Sequence, residues 1–349
     1  MKAIIVREFG AADVLKFEEI ETPVPNENQI LVKIKAAGVN PVDTYVRSGV
    51  YAQKPNLPYT PGKDGAGIVE AVGEKVTKFA VGDRVLTADS VSGTYAEFCL
   101  CEAKHLIKLP ENISFEQGAG VFVPYATSFR ALFQKAKAQA GETILIHGAS
   151  GGVGTAAIQW AKNAGLKVVG TASSAEGQKL IKEQGADFVF NHSSEPSAVA
   201  DGLIIENNDS NKANDNPSAT ADGSDKSYLQ KILEATGGVD VILEMLANVN
   251  LVKDFDVLKM FGRIVVIGNR GSLDFNPRLI MGKDASVFGV SLFNAPEAEM
   301  AEIHEAIFQG LSEGYLNPIV GKTFELKDAA EAHRAVIENK AFGKIILKP

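Results

Sequence analysis

The stretch His147-Gly148-Ala149-Ser150-Gly151-Gly152-Val153-Gly154 stands between an apolar, strand-like run, Thr143 to Ile146, and a helix-like one, Val153 to Ala164. Glycines at such a junction let the backbone approach a ligand closely, because no side chain stands in the way. Strand, tight glycine turn and helix N-terminus together form the cradle of a dinucleotide-binding βαβ unit, in which backbone N–H groups and the helix dipole hold a pyrophosphate. Laid on G-x-G-x-x-G, the three key positions are Ala149, Gly151 and Gly154.

The residues after the next strand indicate which dinucleotide. That strand, Lys167 to Thr171, ends in Thr171-Ala172-Ser173-Ser174, with no carboxylate at its tip. A site for NAD places Asp or Glu about 20 residues past the glycines to take the ribose 2′-hydroxyl, and that charge would repel the 2′-phosphate of NADP. Here Ser173, Ser174 and Lys179 offer donors and a positive charge, and His192 follows a third strand, Asp187 to Phe190. The expected cofactor is NADPH.

From about residue 125 the pattern alternates: apolar strands begin at 143, 167, 187, 239, 263 and 286, separated by helix-length segments. This predicts an α/β domain, residues 125–294, built on a doubly wound parallel sheet of six strands. Residues 1–124 read instead as a strand-rich domain, with runs at Lys2 to Val6, Ile30 to Ala36, Gly67 to Val72, Arg84 to Thr87 and Gly93 to Leu100. The tail, 295–349, carries two amphipathic helical stretches and the strand-like Lys344 to Leu347, and is expected to return to that first domain. Residues 193–227 depart from both patterns: with seven Ser, five Asn and five Asp they have too few apolar side chains to bury, and predict a disordered insertion.

A length of 349 residues and a 45% hydrophobic composition support two substantial cores. The net charge of −8 argues against broad capture of nucleic acid or anionic lipid. Charged residues near Met1 in place of an apolar core, and no apolar run long enough to span a bilayer, give the expectation of a cytoplasmic protein without membrane contact. Cys99 and Cys101, the only cysteines, share one face of a strand and read as two buried thiols, not as metal ligands.

With both halves read, the chain resembles the medium-chain dehydrogenase/reductase superfamily, and within it the zinc-free quinone oxidoreductases of the zeta-crystallin type. The resemblance rests on Ala37 to Tyr45 (AGVNPVDTY), Pro58 to Gly67 (PYTPGKDGAG), Val81 to Val85 (VGDRV), the glycine turn and Glu244 to Leu251 (EMLANVNL). It implies a GroES-like catalytic domain, formed by residues 1–124 with 295–349, beside a Rossmann domain, with the active site in the cleft. It also implies homo-oligomers, dimers or tetramers. Zinc alcohol dehydrogenases of the superfamily carry Cys where this chain has Asn40 and His where it has Lys63, and the cysteine-rich lobe of structural zinc is missing, so no metal is expected. Without a Lewis acid to lower an alcohol's pKa, reduction of a small electron-poor quinone, an ortho-quinone above all, is the expected reaction; an NADPH-dependent enone or alkenal reductase is the alternative, and a lens-type structural or RNA-binding role a further one that the acidic charge disfavours.

For the site, Tyr45 is the first choice, as a nicotinamide contact and donor to a quinone oxygen. Asn40, Tyr51 and Tyr59 are further candidates in the same proline- and glycine-rich region. Asp43 reads as a helix cap, and Lys63 as a cation that either favours the NADPH phosphates or narrows the acceptor pocket. By resemblance Ser150, Gly151, Gly152 and Val153 take the pyrophosphate. Ser173 and His192 take the adenosine phosphate end, and Asn248 with Val265, Val266, Ile267 and Gly268 the ribose and nicotinamide. His147 reads as a packed strand-end histidine and Trp160 as core.

Overall fold

A computed structural model of the protein describes residues 1–192, 223–338 and 342–349, without the side chains of 223–227. Its Rossmann half is a six-stranded sheet in the spatial order Phe188–Asn191, Lys167–Ala172, Thr143–Ile146, Val239–Glu244, Leu258–Val266 and Ser286–Gly289. Every pairing is parallel. The chain winds outward from Thr143–Ile146 in one direction, then returns to continue from its other side. The reversal lies at the carboxyl end of that first strand, where ligands of doubly wound sheets bind. The strands are Val-, Ile- and Leu-rich because helices cover both faces.

The first sheet has seven strands among the described residues. Gln29–Val39 lies at its centre, paired antiparallel with Asp64–Val72 and Phe98–Glu102, and with the C-terminal strand Lys344–Lys348, which in turn pairs parallel with Val320–Glu325. The expected strand Gly93 to Leu100 is displaced to Phe98–Glu102. Residues 94 and 95 turn away because their N–H groups bond to the Gly62 and Pro61 carbonyls of a loop and not to a strand. Both cysteines of Phe98–Glu102 are fully buried, with their sulfurs 3.6 Å apart.

The helix expected to begin near Tyr228 begins at Gly223, so the last five residues of the predicted insertion are helical. The rest of that insertion, 193–222, lies outside the described residues. Glu297–Glu313 buries Ile303, Ile307 and Leu311, a four-residue repeat on one helix face. Trp160 is core as expected: it is 3% exposed, and its indole N–H donates to the Tyr125 carbonyl at 3.1 Å. Among the described residues no helix is long and apolar enough to cross a membrane.

Helix Gly152–Asn163 starts from Gly151 in an extended conformation. Its third residue, Gly154, is where helix and strand touch: a Cβ there would sit 2.5 Å from the Ala149 Cα. Only hydrogen fits. Gly154→Ala is expected to force the helix off the glycine turn and lower stability by about 1–3 kcal/mol, to be read as a fall in the thermal unfolding midpoint.

Candidate active site

Ser150, Gly151, Gly152 and Val153 are all partly exposed, and the first N–H groups of the helix they begin have no intrahelical partner. The Ser150 carbonyl accepts the Gly343 N–H at 3.0 Å, which ties the turn to the segment entering the C-terminal strand. Beyond Lys167–Ala172, Ser173 is exposed; the Ser174 hydroxyl accepts the Gly177 N–H at 3.0 Å and caps the helix Ala175–Glu183. Lys179 lies outward on that helix, 3.9 Å from Glu183. The first turn also holds Glu176, exposed, a carboxylate that the reading of the strand tip passed over. His192 is buried, stacked on Tyr228 with centroids 5.0 Å apart.

At the other side of the switch point, Asn248 accepts the Arg270 N–H and its own N–H donates to Asn269. Val266, Ile267 and Gly268 emerge half-buried from the strand end. Val265 is a correction as a side-chain contact: it is fully buried, as Ile264 is on the opposite face, because helices cover both sides of the sheet.

A cavity of about 870 Å³ opens on the first sheet's side of the cleft. Its walls include Asp43, Tyr51, Tyr59, Phe122, Phe293 and Met300. Lys63 lines it too, its ammonium 2.5 Å from Asp89 and over the Phe293 ring. Tyr45 is absent from this wall. Helix Pro41–Arg47 presents Val42, Asp43 and Val46 to the cavity, and Tyr45 lies about 100° around the helix from the centre of that face. The Tyr59 hydroxyl is sealed from water without a hydrogen-bond partner among the described residues, and burial, aided by the Asp43 charge, pushes its pKa up to about 12, so it stays protonated.

Asn40 is likewise corrected from a substrate or ribose contact. It is 2% exposed, its amide N–H donates to Asp64 Oδ2 at 3.1 Å, and its carbonyl accepts from Lys344 Nζ at 2.5 Å. Lys344 Nζ also lies 2.6 Å from Asp64 Oδ2, while Asp64 Oδ1 accepts the Val123 N–H at 3.0 Å. Gly38 makes room for this lysine: a Cβ there would meet its Cε at 2.8 Å. The Asp43 cap is as expected, with Oδ2 accepting the Asn40 N–H at 2.8 Å.

Behind Asp43 runs a hydrogen-bonded row that sequence reading missed. Tyr95 Oη lies 3.2 Å from Asp43 Oδ2, His333 Nε2 lies 3.2 Å from Tyr95 Oη, and Arg47 lies 3.4 Å from His333 Nδ1. Burial, opposed by the Asn40 N–H, raises the Asp43 pKa to about 6. Burial and then the Arg47 charge lower that of His333 to about 3.

His147 is a packed strand-end residue, as read, with charged partners that the sequence did not reveal. Its Nε2 lies 2.8 Å from Asp254 and 3.5 Å from Glu244, all three side chains being buried. Burial pulls the His147 pKa down, but Asp254 and Glu244 outweigh it and hold it near 9. Burial raises Glu244 to about 7.

The models for the alcohol dehydrogenase GroES-like domain and for zinc-binding dehydrogenases match residues 26–111 and, in two pieces, 152–207 and 219–347. Human quinone oxidoreductase is 44% identical over 351 residues, 99% of this chain and 97% of its own. The chain belongs to the quinone oxidoreductase family of the medium-chain dehydrogenases/reductases. Among solved structures, the family's Escherichia coli quinone oxidoreductase, complexed with NADPH, aligns over both whole chains with a TM-score of 0.82 at 29% identity. A mycobacterial protein complexed with NADPH does so at 0.83 and 28%.

Two expectations follow for this family member's buried charges. Lys344→Met strands the Asp64 carboxylate without its cation and is expected to cost about 3–5 kcal/mol in denaturant unfolding. The His147 cluster makes stability fall as pH rises. A histidine pKa raised in the folded state contributes fully below its unfolded value and is lost as pH climbs through about 9. Glu244, raised to about 7, favours its protonated form in the fold, so its contribution is lost on the way up to that pH. Thermal midpoints of Glu244→Gln across this range are expected to lack the lower of the two declines.

Proposed function

We propose that this protein uses NADPH, without zinc, to reduce quinones bound in the cavity. The observation that carries the reading is the buried Lys344 ammonium, held by Asn40 and Asp64 beside the cavity wall. A catalytic zinc does not fit there: the residues on hand are an amide, one carboxylate and a fixed positive charge that repels a second cation. With no Lewis acid to activate it, the acceptor must be electron-poor of itself, as a quinone is. The apolar and aromatic walls suit a flat ring system, and the cavity has room for several fused rings. Bound NADPH supplies the reducing equivalents. The residues of the chain position the partners: Ser150 to Val153 offer N–H groups to the pyrophosphate, Asn248 and Val266 to Gly268 stand at the ribose and nicotinamide end, and Ser173, Ser174 and Lys179 face the 2′-phosphate.

Human and E. coli relatives named quinone oxidoreductase, and an NADPH complex of the latter, support both halves of the reading. The test is nicotinamide oxidation by chelator-treated protein, with NADPH and NADH offered separately against an ortho-quinone and a short enal. Turnover of the quinone with NADPH, undiminished by the chelator and at least about tenfold faster than with NADH, is the expected result, since a lost phosphate contact is worth about 1.5–3 kcal/mol. Turnover of the enal alone would move the protein to enone reduction.

A further inference from the structure

We infer that Lys63 is a further catalytic residue of the proposed reduction: its ammonium, fixed on the cavity wall, stabilises the negative charge that builds on an acceptor oxygen. The inference deepens that reading and rests on the cavity being the acceptor site. Lys54, Lys63 and Lys104 all line the cavity, but their tips point differently. Lys54 Nζ lies over the ring of Phe9, and Lys104 Nζ pairs with Glu102 at 2.9 Å; neither Phe9 nor Glu102 belongs to the wall. Both contacts of Lys63 Nζ do belong to it. Asp89 Oδ1 is 2.5 Å away and the Phe293 ring centroid 5.8 Å. The tip of Lys63 therefore stands at the cavity surface between two other wall residues, with 40% of its side chain exposed.

The side chain is held at both ends. At the backbone, the Lys63 carbonyl accepts the Thr87 hydroxyl at 2.7 Å, and the neighbouring Gly62 carbonyl accepts the Ser90 hydroxyl at 3.1 Å. At the tip, Asp89 Oδ1 accepts one ammonium N–H and is itself oriented by the Ser90 N–H at 2.7 Å. The face of the Phe293 ring adds a second attraction for the cation. Asp89 is the one hydrogen-bond partner of Lys63 Nζ among the described residues, and an ammonium has three N–H donors. Two remain for a ligand. An ion pair this exposed adds little to stability, so holding the fold together does not account for the arrangement.

A quinone oxygen gains negative charge by either stoichiometry: NADPH and two quinones to NADP+, two quinone radical anions and a proton, or NADPH, one quinone and a proton to NADP+ and the hydroquinone. In both, charge accumulates on an oxygen that began as a neutral carbonyl. An N–H donor at that oxygen binds the transition state more tightly than the substrate, and one already in position costs no rearrangement when the charge arrives. Lys63 keeps its own proton throughout. Because the ammonium is shared with Asp89 and open to water, its effect is expected to be about tenfold in rate, below the roughly 100-fold of an enclosed donor.

The experiment compares the whole protein with Lys63→Met, which keeps the length of the side chain and removes its charge, and with Lys63→Arg, which keeps the charge. Turnover of an ortho-quinone at saturating NADPH gives kcat and KM. In parallel, the affinity for a nitrocatechol is measured with NADP bound, from the colour of its ring oxyanion, a stable mimic of the charge on the reduced acceptor. Lys63→Met is expected to lower kcat about tenfold and to weaken nitrocatechol binding by about the same factor, with NADPH affinity and the thermal midpoint unchanged. Lys63→Arg should keep both quantities within about threefold of the unaltered protein. Should Lys63→Met fail to fold, Lys63→Gln removes the charge in its place. A folded variant without the charge that keeps both kcat and nitrocatechol affinity would overturn the inference while the quinone reading stood. Equal losses in Lys63→Met and Lys63→Arg would do the same, since they mark a role in packing. No quinone turnover by the unaltered protein would overturn the proposed reduction and this inference together.

Discussion

One buried ammonium joins four parts of the catalytic half. Lys344 enters from the C-terminal strand, Asp64 from the start of a central strand, Asn40 from the turn into helix Pro41–Arg47, and Val123 from the helix Phe122–Phe129. The Asp64 carboxylate is satisfied on both oxygens, which is the condition under which a buried ion pair holds a fold together instead of weakening it. The same contact puts a positive charge against Asn40, and it fixes the end of the helix that carries Asp43 to the cavity wall. Architecture and chemistry meet in that one lysine.

The Rossmann half was legible because its signals are local. A glycine turn between an apolar strand and a helix occupies eight consecutive residues, His147 to Gly154, and the alternation of strands and helices repeats at intervals that a one-dimensional pattern can display. The expected six-strand sheet accordingly appears, with ends displaced by a few residues. In the seven-stranded sheet, where an end was misread at Gly93 to Leu100, the cause was a competing partner from elsewhere: the Gly62 and Pro61 carbonyls take N–H groups that periodicity assigned to a strand.

The catalytic half was less legible because its contacts are long-range. Lys344 and Asp64 are 280 residues apart, and the Asp43, Tyr95 and His333 row draws on three distant segments. Nothing in a strand-like KIILK marks its first lysine as buried. The tyrosines show the same limit at closer range: Tyr45 was set ahead of Tyr51 and Tyr59, yet the helix rotation places Tyr45 off the cavity face while the other two line it. His333 had no motif around it, yet it sits 1% exposed against Tyr95. A buried polar residue of this kind is recognisable only once its partners are in place.

The central claim is that a quinone binds in the cavity and that the buried Lys344 leaves Asn40 and Asp64 unable to hold zinc. A crystal structure of the protein with NADP and a slowly reacting quinone, grown in the presence of zinc, tests it most directly. It should show the quinone ring in the cavity against Tyr51, Phe122 and Phe293, and Lys344 still on Asn40 and Asp64. A zinc ion bound at Asp64 with the lysine displaced, or a quinone seated outside the cavity, would contradict it.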